Sequence, residues 1–139
     1  MERVDFDQYA GQFLEASAKA LAEGDSAERL RNFLDMIVTN MTAGTPARGC
    51  LTTRTALDAA ISSTAVRQRV QSLLGRLEQL IAKAIGSAPG KAPAIEADRL
   101  ARVVVTYTRG LAVMERAGYG RKQLKEAAAT FVDALVGEA

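Results

Sequence analysis

The 139-residue sequence predicts an all-α fold of six helices, and three observations carry that reading. Apolar residues recur at intervals of three and four over long stretches, which places them on one face of a helix. No window alternates apolar and polar residues with β-branched or aromatic enrichment, as a half-buried strand would. Glycine, proline and short polar residues cut the periodic stretches into segments of helical length.

The first segment, from about Asp5 to Glu23, has Phe6, Ala10, Phe13, Leu14, Ala18 and Leu21 at helical spacing, with the small Ser17 on the same side. Gly24 follows as a left-handed cap, since it has no Cβ to clash. Asp25-Ser26-Ala27-Glu28 then reads as a capping box, in which the Asp and Glu side chains satisfy each other's orphan amides. The second helix carries Leu30, Phe33, Leu34, Ile37, Val38 and Met41, a stripe broad enough for burial on more than one side. It ends before Ala43-Gly44-Thr45-Pro46.

The third helix, from about Gly49 to Ile61, is less periodic and is anchored by Leu57, Ala60 and Ile61. Ser62 and Ser63 are N-cap candidates for the fourth, about Thr64 to Ile85, with Val66, Val70, Leu73, Leu77, Leu80, Ile81 and Ala84 as its stripe. Gly75 sits inside that helix at a cost of about 1 kcal/mol relative to Ala. Two prolines and two glycines in 86–93 make an exposed loop. The fifth helix, about Glu96 to Ala117, has a large stripe through Leu100, Val103, Val104, Tyr107, Leu111 and Met114, and a small-residue face through Ala97, Ala101, Thr108 and Ala112. Gly118-Tyr119-Gly120 breaks the chain before the sixth, about Lys122 to Val136, where Leu124, Ala128, Phe131 and Leu135 step by four, three and four like a pairing seam.

Composition narrows the function classes. With 18 basic against 16 acidic residues the chain has no concentrated basic patch, and Glu96, Asp98, Glu115 and Glu126 interleave the C-terminal arginines and lysines. Histidine is absent and Cys50 is the single cysteine, which leaves no metal constellation and removes the commonest general base. Glu28 and Asp35 share a face but lie away from the apolar stripe, so no paired acid–base carboxylates are expected. A catalytic role, a cofactor and a metal are therefore not expected. The N-terminus is charged where a signal peptide needs an apolar run, and no stretch suits a membrane span, so the expected location is cytoplasmic.

Two segments resemble a known family. Arg48-Gly49-Cys50-Leu51-Thr52-Thr53-Arg54-Thr55-Ala56-Leu57-Asp58 resembles the Gly-Cys-Leu segment that opens a helix in the ligand-binding domain of TetR/AcrR-type transcriptional regulators. Arg109-Gly110-Leu111-Ala112-Val113-Met114-Glu115-Arg116-Ala117-Gly118, followed by Leu124, is similar to the pattern joining that family's last two helices, which form its dimer interface. The resemblance covers about Phe6 to Val136. It implies a single effector-binding and dimerisation domain over 1–139, whose last two helices form a four-helix bundle with a second copy. The helix-turn-helix signature of a full-length regulator is not found in the sequence, so operator DNA would be reached only through a reader outside it.

Candidate site residues follow. Asn40 beside Phe33, Met36 and Ile37 is either a directed polar group in an apolar pocket or a solvent-facing residue near a helix end. Tyr107 either bonds a ligand or simply packs. Thr53 and Leu57 complete the candidate effector site, with Arg54 as either an anion partner or a surface charge, and Cys50 as either a reactive thiol or a small buried hydrophobe. The dimer interface is expected at Val104, Gly110, Leu111, Leu124, Ala128, Phe131 and Leu135, with Gly110 letting backbones approach where helices cross. The leading function is a homodimeric effector-binding domain of a repressor released from DNA by a small ligand. The alternative is a stand-alone helical protein that pairs with a full-length regulator through the same two helices.

Overall fold

A computed structural model describes residues 3–44, 49 and 63–137. Among them are five helices and no strand: α1 (Arg3–Ala20), α2 (Ser26–Met41), α3 (Thr64–Ser87), α4 (Ala97–Arg116) and α5 (Arg121–Val136). The third of the six expected helices lies outside the described residues apart from Gly49, as do Cys50, Thr53, Arg54 and Leu57.

Of the described helices, α2 alone touches all four others. Its sequence explains this position. Ser26, Ala27, Leu30, Phe33, Leu34, Ile37, Val38 and Met41 are all buried, so its apolar arc is too wide to be covered by one neighbour. The expected capping box starts it: the Glu28 amide donates to Asp25 Oδ1 at 2.9 Å, and the Asp25 amide donates to Glu28 Oε1 at 3.2 Å. Gly24, at φ +95°, supplies the left-handed turn just before it, where a Cβ would stand 2.8 Å from that of Glu28. Arg29 ties the same end to α3, its Nε donating to the Gly24 carbonyl at 2.8 Å and its Nη1 to the Ala84 carbonyl at 3.1 Å.

α1 covers α2 and α3. It buries Phe6, Ala10, Leu14, Ser17 and, just past its end, Leu21. The stripe runs through Ser17, whose hydroxyl donates back to the Phe13 carbonyl at 2.8 Å. Ala18, expected in the stripe, is exposed, because the buried arc through Phe6, Ala10, Leu14, Ser17 and Leu21 has Leu14 at its edge and Ala18 falls just outside it. α3 starts at Ser63, whose Oγ accepts from the Val66 amide at 3.1 Å, and runs two residues beyond the expected end.

Two partnerships dominate the packing: α3 lies along α4, and α2 lies along α5. The second is braced at its rim by Arg31 with Asp133 at 2.8 Å and Lys125 with Asp35 at 3.5 Å. These pairs are largely exposed and add little stability. By contrast α4 and α5, the expected pairing helices, meet each other over only a short stretch. One apolar core joins all five helices, with Leu30, Phe33, Leu34, Leu77, Ile81, Leu100, Val104 and Val132 fully buried at its centre.

Candidate functional site

Helix α4 has more apolar surface than its own chain covers. Leu100, Ala101, Val104, Val105, Thr108, Leu111 and Ala112 are buried against the core. The large stripe read from sequence divides at this point. Val103, Val113 and Met114 stay 43%, 54% and 39% exposed, and Tyr119 in the turn after α4 is 44% exposed. Val103, Tyr107, Gly110 and Met114 follow one another at steps of four, three and four along the outer face, the spacing of a helix-pairing seam. On α5 a second such row, Ala127, Phe131 and Ala134, is exposed or half-buried. The two rows are joined by a ring stack: Tyr107 and Phe131 lie with centroids 3.8 Å apart and planes 3° from parallel. Burial pushes the Tyr107 phenol above its ordinary value of 10.0.

Several expected interface residues lie elsewhere. Val104, Leu111, Leu124 and Ala128 are between 0% and 4% exposed, so they have no area left for a second chain. They are core residues of this chain, because α2 and α3 occupy the inner sides of α4 and α5. Phe131 and Leu135 are half-buried, packed against that core. Gly110 is exposed, with nothing within 4 Å of where a Cβ would stand. The outward row was present in the sequence. The signal for separating it from the core row was that one helix carried two seams about a third of a turn apart.

The expected effector residues are also dispersed. Phe33 is fully buried in the core, while Asn40 is exposed and donates from Nδ2 to the half-buried Met36 sulfur at 3.2 Å. Of its two readings, Asn40 takes the solvent-facing one. Tyr107 packs on Phe131 rather than facing Phe33. Open clefts formed by described residues lie between α3 and α4 beside Gly75, between α1 and α3 beside Leu80, and at the start of α2 beside Lys91; none is lined by Phe33, Met36, Asn40 or Tyr107.

Charge is dispersed as well. Arg102 pairs with Glu78 at 3.1 Å, Arg121 donates to Thr42 Oγ1 at 2.9 Å, and Arg109 donates to the buried Thr108 hydroxyl at 2.9 Å. These three cations thus serve separate local contacts. Among the described residues no group of acidic or cysteine side chains is arranged to hold a metal ion, and no helix is long and apolar enough to cross a membrane.

The model of the tetracyclin repressor-like C-terminal domain family matches residues 26–131. The chain belongs to that family. Neither a comparison with curated proteins nor one with solved structures finds a match. Tetracyclin repressor-like C-terminal domains generally bind effectors and dimerise, and are generally non-enzymatic. The matched range begins at the first residue of α2 and ends at Phe131, so it takes in the α4 seam and the Tyr107–Phe131 stack.

Proposed function

We propose that this chain is a single effector-binding and dimerisation domain of a cytoplasmic TetR-like regulator, a repressor that leaves operator DNA when a small ligand binds. DNA would be read by a helix-turn-helix outside this sequence. The observation that carries the dimer is the apolar strip of Val103, Gly110, Val113 and Met114, continued through the Tyr107–Phe131 stack to Ala127 and Ala134. An exposed apolar strip of that length across two helices is uncommon on a monomer. Two copies related by a two-fold axis would set strip against strip and make a four-helix bundle. The expected interface of Gly110, Phe131 and Leu135 is retained, and Val103, Val113 and Met114 replace the four core residues.

The effector is proposed to be held by this same domain. A ligand moves the DNA readers only if it binds one arrangement of the two copies better than the other.

The test is sedimentation velocity of the parent chain and of Val103→Glu/Met114→Glu. Both positions are exposed, so the double variant should keep its helical circular dichroism. The parent should sediment as a dimer at micromolar concentration, and the folded variant as a monomer. A monomeric parent would end the proposal.

A further inference from the structure

The three clefts differ in how their charges are balanced. The cleft between α3 and α4 is lined by Glu78, Asp98, Arg99 and Arg102, so acids and bases are matched, and Arg102 already pairs with Glu78 at 3.1 Å. The cleft at the start of α2 puts Lys91 together with Asp25, the carboxylate that caps that helix. The cleft between α1 and α3 is unbalanced. Leu14, Glu15, Arg76, Gln79, Leu80 and Lys83 line a volume of about 380 Å3. Its one acid, Glu15, has Lys19 at 3.9 Å, whereas no ion pair among the described residues includes Arg76 or Lys83.

Spacing along α3 arranges these groups. Arg76 and Lys83 are seven residues apart, so they leave one face of the helix two turns, about 10.5 Å, from each other. Leu80 lies between them, four residues after Arg76 and three before Lys83. It is half-buried against the core, and Leu14 of α1 is buried, which gives the cleft an apolar floor. Small-molecule sites combine such a surface with a few polar groups that fix orientation. Arg76 presents a planar fork of donors that matches a carboxylate, and Lys83 adds a second positive charge to the same strip.

We infer that the α1–α3 cleft holds the effector, and that the effector is a small molecule with a carboxylate headgroup at Arg76 and an apolar tail laid over Leu80 and Leu14. The inference rests on the effector-binding reading above and adds to it a place and a chemical class. Both cations are exposed, so water and salt screen the charge contact, and the tail supplies the rest of the affinity.

Calorimetric titration of the full chain, carried into the millimolar range, tests it with octanoate, octanol, octylammonium and acetate. Octanoate should bind most tightly and octanol less. Octylammonium, with the wrong charge, and acetate, with no tail, should bind least. Raising salt from about 0.05 M to about 0.5 M should weaken octanoate and not octanol. Arg76→Gln should weaken octanoate by about twofold to fivefold, Lys83→Gln by less, and neither should change octanol. Both positions are exposed, so the variants should keep their helical circular dichroism. Arg67→Gln, on the same helix but outside the cleft, should bind octanoate as the parent does. An equal loss in Arg67→Gln, or octanoate held no better than acetate, would mean general attraction to positive charge and overturns the inference. Octanol bound as tightly as octanoate overturns the anionic class while leaving the effector reading intact. Retention on phosphatidylglycerol vesicles without octanoate binding would assign the cations to a membrane surface and overturns the inference too. Binding of none of the four probes overturns the cleft and its ligand class, whereas the dimer is decided separately by sedimentation.

Discussion

Gly75 and Gly110 form a matched pair for asking what covers α4. Each sits in a helix interior, Gly75 in α3 and Gly110 in α4, and beyond the helix's own nearby backbone neither has an atom of a described residue within 4 Å of the place a Cβ would occupy. Within one chain, replacing either by Ala adds no clash and removes unfolded-state freedom. Each change should stabilise the isolated fold by about 1 kcal/mol. With an unfolding entropy of about 2.1 cal/mol/K per residue, a chain of this length shifts its midpoint by roughly 3–4 °C per kcal/mol. Gly75→Ala should therefore raise the midpoint by roughly that much at any protein concentration. Gly110 differs because it lies in the outward seam between Tyr107 and Met114. If a second copy's helix crosses there, the new methyl group overpacks the contact at a cost of about 1–3 kcal/mol, which weakens dimerisation by roughly fivefold to 150-fold. The assay is thermal denaturation of both variants at several concentrations, with sedimentation equilibrium for the dimer constant. Gly110→Ala should lose its advantage over the parent as concentration rises. A variant that dimerises as well as the parent, with the same gain as Gly75→Ala throughout, would refute a helix crossing at Gly110.

Two other outcomes follow from single groups. Asp25→Ala removes the acceptor of the Glu28 amide and half of the capping box, and should destabilise the fold by about 1 kcal/mol, read as a lower urea midpoint with an unchanged slope. Burial raises the Tyr107 phenol above 10.0, so the folded state keeps its proton where the unfolded chain has lost it. The stability this contributes is complete below the unfolded value and is lost as pH rises through the folded one. Denaturation midpoints measured upward from pH 9 should fall more steeply for the parent than for Tyr107→Phe; parallel profiles would show that the phenol is not the group responsible.

The sequence by itself determined the helical class and the caps that start α2 and α3. Periodicity and local chemistry act within a few residues, so Asp25 with Glu28 and Ser63 with Val66 were legible as caps without any knowledge of neighbours, whereas α1 ends at Ala20, short of the Gly24 expected to cap it. The same locality made the family pattern around Arg109–Gly118 readable, since it sits where one helix ends and the next begins. Tertiary structure decided which side of each helix faces inward. Val103 and Val104 are adjacent and chemically alike, and periodicity put both on one stripe. Packing of α2 and α3 against α4 buries Val104 completely and leaves Val103 in solvent. The same rotation separated Leu124 and Ala128 from Ala127 and Ala134 on α5, sent Asn40 to the surface and paired Tyr107 with Phe131. A hydrophobic pattern states how wide an apolar arc is, but not whether its own chain or another will cover each part. That depends on contacts between residues far apart in sequence, which no local spacing encodes.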